Sequence, residues 1–373
     1  MLFRSLDNTD KIKVLIEDAC KMGLQIEPPD INRGQYVFEP VTDQLIRYGL
    51  GAIKGTGKTA IDAIVAARHE GGPFTSLFDF YARIDRSKVN KRTVEALIKA
   101  GAFDGIQLNR AALVASIDRA HDFAQSLSDN ANQGGLFDQV DSHASSTTEP
   151  ELVRATPWGI KERLSHEKTA IGFYLSGHLY DESASEVQRF VKRRIDDLID
   201  SREPQLLAGI VSDLRLVQGQ RGRLAIFKLD DRSATIEATA DEATYNTHRD
   251  TLREDELVIL MAKAQPDRFS GGGLRLSVQQ VWSLAEARCR FGKYLSVQVN
   301  GQAPDIGRLL REFPAKVQSS EEGELVRGLP VRIHLLRDGA CAQIQLGEQA
   351  KFFPTEAALA SWMAQAHDGQ AQI

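Results

Sequence analysis

Cysteine is scarce in this chain. Cys20, Cys289 and Cys341 are the only thiols among 373 residues; they form no CxxC pair, and any pairing leaves one over. A disulfide framework does not fit, a reducing compartment does, and all three thiols read as packing residues. The histidines are scattered as well, so spacing points to no metal site. No apolar run approaches the roughly 18 residues of a membrane span, and residues 1–30 carry no signal-peptide pattern. A cytoplasmic location without membrane contact is expected.

What is present suits folded domains. Hydrophobic residues make up 42% and charged residues 26%, so cores can form and wholesale disorder is excluded. The length predicts roughly two to four units. The net charge of −5 is unevenly spread: residues 43–120 carry 12 Lys/Arg against 8 Asp/Glu, whereas residues 122–153 carry six acidic residues and no Lys or Arg. The first stretch is a candidate polyanion-binding region, although Arg83, Arg86, Lys88, Lys91 and Arg92 also suit a solvated turn and helix start.

Along the chain, "KIKVLIEDACKMG" has helical spacing and "LQIEPPDIN" reads as a short strand; together they are too little to bury a core and look like the tail of another domain. Residues 43–125 are expected to be mostly helical. The stretch "QSLSDNANQGGLFDQVDSHASSTTEPE" has linker composition. Helical patterns resume in "KERLSHEKTAIGFYL" and "SEVQRFVKRRIDDLI". From Gln205 the period changes to two over five runs, with a helix-like "DEATYNTHRDTL" between the third and fourth, which predicts an OB-type barrel. The last 80 or so residues suggest a small α+β module.

"GAIKGTGKTA", residues 51–60, raises the question of a phosphate-binding loop. Such a loop joins a buried strand to a helix so that backbone N–H groups converge on phosphate oxygens. Here "QLIRYGL" precedes it, polar and broken by glycine. A nucleotide hydrolase using Lys58 and Thr59 is therefore the alternative reading. The main one is a helix-hairpin-helix turn: Lys54, Gly55, Thr56, Gly57, Lys58 and Thr59 would present N–H groups, a helix N-terminus and cationic charge to a DNA backbone, positioning it without reading sequence. The same glycines would also suit a plain helical connector. A second pair, with Val94, Leu97 and Ile98 facing Leu113 and Ile117, is expected to be scaffold. Within the acidic linker, Gln133, Leu136 and Phe137 form a QxxLF pentapeptide, with Leu and Phe as anchors for apolar pockets of a clamp.

The order of these parts resembles the C-terminal region of the bacterial replicative DNA polymerase III alpha subunit. The resemblance is carried by "NTDKIKVLIEDACKMGLQIEPPDIN", "YGLGAIKGTG", "LFDFYARIDRSKVNKRTVEALIKAGAFD", "NRAAL", "EKTAIGFYLSGH" and "LDDRSATIEA". It implies a multidomain α+β chain: a fingers remnant at 1–48, a helix-hairpin-helix DNA- and clamp-binding domain at 49–125, a flexible linker with the clamp peptide at 126–157, a helical connector at 158–203, an OB domain at 204–287, and a domain at 288–373 contacting the clamp-loader tau subunit. The implied partners are DNA, the sliding clamp and tau. Polymerase chemistry in this family uses palm carboxylates that hold two Mg²⁺ ions. No "PDFDIDF"-like stretch occurs here, so no catalytic residue and no cofactor is expected in this chain, and Mg²⁺ belongs to the complete polymerase. Asp230 and Asp231 are expected as structural caps. For the barrel, the resemblance implies single-strand binding but no particular residue; the strand runs themselves offer Phe227 and Trp282, either of which also suits the core, and Arg221 and Arg223 to guide a backbone.

Overall fold

The computed structural model describes residues 8–133, 148–201, 203–219, 222–266, 273–300, 305–320, 323–337, 340–347, 349–367 and 371–373. Its contacts divide the chain into two compact units, Met1–His178 and Leu179–Ile373.

In the first unit, α1 (Thr9–Lys21) starts where the Asn8 side chain accepts the Lys11 N–H, and it buries Ile12, Ile16 and Ala19 at helical spacing. Strands β1 (Gln25–Glu27), β2 (Glu39–Thr42) and β3 (Leu45–Arg47) form a small sheet in the order β1-β3-β2. A 3₁₀ turn, Leu50–Ala52, leads through the glycine hairpin into α2 (Lys58–Gly71). The helices α3 (Leu77–Arg83), α4 (Lys91–Lys99), α5 (Arg110–Ala115), α6 (Ile117–Gln133) and α7 (Ile160–Ile171) follow. One core joins Ile12, Ile16, Phe38 and Tyr48 to Ile61, Ile64, Val94, Leu97, Ile98, Leu113, Ile117 and Ile171.

Two sequence expectations change here. Residues 9–47 do not stand apart as a remnant: they bury their apolar side chains in the same core as the hairpin, because so short a segment cannot form a core of its own. Helix α6 also runs to Gln133, through residues 126–133 that composition assigned to the linker. With its first turns anchored by buried Ala120 and Ala124, extending an existing helix into polar sequence costs little.

A buried cation fastens the end of this unit. The Arg110 guanidinium, 4% exposed, donates to both oxygens of Asp104 at 2.8 and 2.6 Å, to the Lys99 carbonyl at 3.1 Å, and lies 3.5 Å from Glu167. Glu167 in turn accepts the N–H groups of Leu175 and Ser176, so α7 and the chain after it are tied to the α4–α5 pair.

The second unit opens with a 3₁₀ turn, Leu179–Glu182, followed by α8 (Ala184–Phe190). The expected helix over "SEVQRFVKRRIDDLI" stops there, because Val191 is extended and Ile195 is drawn into the next core, its N–H donated to Asp231 at 2.8 Å. Strands β4 (Gln205–Gly219), β5 (Gly222–Asp230), β6 (Thr235–Asp241), β7 (Leu257–Pro266) and β8 (Leu274–Trp282) close a barrel in the order β4-β5-β6-β8-β7, with α9 (Glu242–His248) between β6 and β7. This is the five-strand pattern read from the sequence. Its closure depends on β4. The first half of that strand pairs β7 and the second half pairs β5, and the register shifts between Ser212 and Arg215, where Asp213 adopts φ 54°. An extra residue at such a point bends the strand so that one element serves two sides of a barrel.

Beyond it lie α10 (Leu284–Phe291), β9 (Leu295–Val299), α11 (Ile306–Glu312), β10 (Lys316–Ser320), β11 (Gly323–Arg327), β12 (Leu329–Arg337), β13 (Ala340–Gln345), β14 (Lys351–Phe352), α12 (Glu356–Gln365) and β15 (Ala371–Gln372). The sheet β13-β12-β9-β15 packs Val297, Val331 and Phe352 with Trp362, giving the small α+β module its own core. Of the three thiols, Cys20 and Cys341 are exposed, so the packing reading fails for them. Cys289 is half-buried, and burial pushes its thiol up to about 11.

Candidate nucleic-acid interface

The hairpin Lys54–Thr59 is held from three sides. The Lys54 N–H donates to the Ala170 carbonyl of α7 at 2.8 Å. The Thr93 hydroxyl of α4 lies 3.2 Å from the Gly55 carbonyl. The Thr56 hydroxyl reaches the Leu50 and Ile53 carbonyls at 2.7 and 2.6 Å. Gly55 sits at φ +83° and the Thr56 N–H closes on Ile53 O at 3.2 Å, a turn whose third residue must have positive φ and so favours glycine.

These contacts satisfy acceptors and leave donors over. Among the described residues, nothing accepts the N–H groups of Gly55, Gly57, Lys58 and Thr59. Gly57 is the N-cap of α2 and offers no side-chain oxygen, whereas Ser76, Asn90 and Asn109 cap α3, α4 and α5. The open N-terminus of α2 therefore presents unpaired N–H groups together with the positive end of the helix dipole, a combination that favours an oxyanion.

Five of the six hairpin residues named from sequence are exposed. Thr56 is the exception: it is buried, and its hydroxyl is spent on the turn's own carbonyls, so it shapes the hairpin rather than meeting a ligand. Lys58 pairs with Asp62 at 2.7 Å on the exposed face of α2 and lies 5.5 Å from the Tyr36 ring centroid. No ion pair engages Lys54 among the described residues. The basic stretch further on is largely committed to local partners: Arg83 to the Gly71 and Gly72 carbonyls, Lys88 to Asp85 at 3.0 Å, and Lys91 to Asp118 at 2.6 Å. Hydrogen bonds from Ser87, reinforced by Lys88, hold the Asp85 carboxyl down to about 2. That stretch is the solvated turn and helix start of the plainer reading.

The hairpin is not entered from a buried strand. A 3₁₀ turn precedes it, so the strand–loop–helix frame of a nucleotide-binding loop is missing around Lys58 and Thr59. Asp230 and Asp231 serve their own turn: Asp231 accepts from Ile195, Ser233 and Ala234, and Asp230 from Arg232 and Thr235. Among the described residues, no three His, Cys, Asp or Glu side chains gather closely enough to hold a metal ion.

On the barrel, Phe227 is 1% exposed and belongs to the core with Leu207, Leu229 and Leu260. It offers no ring face to a base, which corrects the stacking role proposed for it; inward alternation along β5 decides its side. Trp282 is also buried, edge-on to Phe291. The β4–β5–β6–β8 surface instead carries exposed Val217 and Leu224 with Arg215 and Lys228, and the half-buried Arg275. Glu237 pairs with both arginines, and Asp213 pairs with Lys228 at 2.7 Å. Arg223 is exposed, and its N–H donates to Glu242. Arg221 lies outside the described residues, as do Leu136 and Phe137 of the QxxLF peptide, while the Gln133 backbone ends α6.

Sequence reasoning missed Asp62, Thr93 and Ala170. Asp62 was readable as an i+4 partner of Lys58. Thr93 and Ala170 act across 38 and 116 positions of chain, and nothing local marks them.

A family model described as a helix-hairpin-helix motif matches residues 23–113, and one described as an OB-fold nucleic acid binding domain matches residues 206–284. The DNA polymerase III subunit alpha of Neisseria meningitidis serogroup B is 44% identical over 314 residues, covering 83% of this chain and 27% of that protein. This chain is a relative of DNA polymerase III subunit alpha. The subunit alpha of Pseudomonas aeruginosa is 34% identical over 380 residues, with 95% of this chain and 31% of that protein covered. That of Escherichia coli strain K12 is 32% identical over 360 residues, with 94% and 30% covered. The chain thus spans less than a third of the length of the curated subunit alpha relatives it matches, and it corresponds to their C-terminal part. Among solved structures, the mitochondrial single-stranded DNA binding protein Rim1 of S. cerevisiae aligns at 17% identity and a TM-score of 0.20, covering 22% of this chain and 94% of that one. The barrel assignment rests on strand order and the family model. No helix among the described residues is long and apolar enough to cross a membrane.

Proposed function

We propose that this chain is a DNA-binding part of a replicative polymerase subunit, holding the sugar-phosphate backbone through Lys54, Gly55, Gly57, Lys58 and Thr59. The observation that carries this reading is the hairpin's unpaired N–H groups at the uncapped start of α2, flanked by two exposed lysines. Backbone contact of this kind fixes position without reading bases. Anisotropy titration of two unrelated labelled duplexes should therefore give similar affinities that fall steeply with salt. Strong sequence preference, or affinity indifferent to salt, would contradict it.

The finer reading extends to partners. Gln133, Leu136 and Phe137 tether the chain to the sliding clamp, the terminal α+β module meets the clamp-loader tau subunit, and polymerisation with Mg²⁺ is carried by parts of the subunit alpha outside this chain. Support for these comes from the QxxLF spacing and the relatedness to subunit alpha. Their cytoplasmic setting follows from the same reading. Calorimetry with the clamp tests the tether: binding by the parent and none by a Gln133→Ala, Leu136→Ala, Phe137→Ala triple variant is expected, and equal binding by both would remove it. On the barrel, Arg223 with Arg215, Lys228 and Arg275 is the proposed track for a single strand, without an aromatic platform on the described strands. A nucleotide hydrolase using Lys58 and Thr59 has no observation in its favour beyond the Gly-Lys-Thr spelling.

A further inference from the structure

We infer that Thr93, in the α4–α5 pair otherwise serving as scaffold, is a positioning residue for phosphate binding by the hairpin. The inference rests on the hairpin reading above. Thr93 is 3% exposed, and its hydroxyl lies 3.2 Å from both the Gly55 carbonyl and the Asn90 Oδ1. Asn90 Oδ1 already accepts the Thr93 N–H at 2.9 Å. Gly55 O has no other donor among the described residues, so it is the acceptor that needs the hydroxyl proton. With that bond made, the Gly55 carbonyl is directed at α4. The surface at the turn is then left to the N–H groups of Gly55, Gly57, Lys58 and Thr59.

Without the hydroxyl, only the Thr56 N–H bond to the Ile53 carbonyl at 3.2 Å, in the same planar peptide unit, resists rotation of this carbonyl. Glycine's wide φ/ψ freedom allows the peptide to turn, and a carbonyl oxygen rotated toward the surface would face a phosphate oxygen with like partial charge. The α4–α5 pair thus contributes to binding through one hydrogen bond, without touching the ligand itself.

The test compares duplex affinity of the full chain with Thr93→Val, Thr93→Ser and a Lys54→Ala, Lys58→Ala double variant, alongside thermal unfolding of each. Thr93→Val should weaken binding roughly three- to tenfold, the scale of one lost hydrogen bond, and Thr93→Ser should restore it. If Thr93→Val does not fold, Thr93→Cys takes its place, with a smaller loss in the same direction from its weak S–H donor. Binding by Thr93→Val equal to the parent, while the lysine double variant loses affinity, overturns this inference and leaves the hairpin reading standing. Undiminished binding by the lysine double variant overturns the hairpin reading, and the inference falls with it. Loss in both Thr93→Val and Thr93→Ser assigns the residue to packing and also overturns the proposal.

Discussion

Glu186 grips Arg288 with both carboxylate oxygens, at 2.6 and 2.7 Å, where the guanidinium is only 3% exposed. Arg288 also donates to the Pro354 carbonyl at 2.9 Å and pairs with Glu356 at 2.7 Å. One cation on α10 therefore fastens α8 to the start of α12, joining the region before the barrel to the module after it. Glu186→Gln leaves a buried charge short of its main partner and should cost about 3 kcal/mol of stability in denaturant unfolding. Arg288→Met should cost less, because it removes the charge that needs a partner.

Lys58 is held by Asp62, so Asp62 competes with any phosphate the lysine meets. Lys58→Ala should weaken duplex binding and lower the slope of log affinity against log salt by roughly one phosphate contact. Asp62→Asn should tighten binding instead. Unchanged affinity in both variants would remove Lys58 from the contact.

Phe227 makes a second contrast possible. Because the ring fills the barrel core, Phe227→Leu should lower stability by about 1 kcal/mol while leaving oligothymidylate affinity unchanged. Weaker binding at unchanged stability would restore a stacking role.

The His166 ring lies over Trp158 at 4.1 Å between centroids. Burial, reinforced by Lys99, pushes its imidazole below the ordinary 6.5. A histidine depressed on folding favours the neutral folded form, so its contribution to stability is complete above 6.5 and is lost as pH falls from there through the folded value. Trp158 fluorescence should follow a transition centred below 6.5 that is absent in His166→Gln. A midpoint at or above 6.5 would contradict the sign.

Much of the fold was legible because it rests on local periodicity. The five strand runs and the intervening helix are a period-two pattern with one interruption, and the barrel follows them. The hairpin was legible because Gly-x-Gly between apolar residues leaves few conformations. What could not be read depends on partners far along the chain: Ile195 leaving its helix for the barrel core, residues 9–47 sharing the hairpin's core, and Thr93 holding Gly55. The side on which Phe227 would fall was undecidable from composition, since a strand aromatic suits either face until register is fixed.

The most direct test of the account watches the hairpin's own donors. Protein labelled with [¹⁵N]glycine, titrated with a short mixed-sequence duplex, should show the Gly55 and Gly57 amide resonances moving in step with DNA saturation, while Gly209 inside the barrel stays in place. If Gly55 and Gly57 remain unmoved when the DNA is fully bound, the hairpin is not the phosphate contact and the central claim fails.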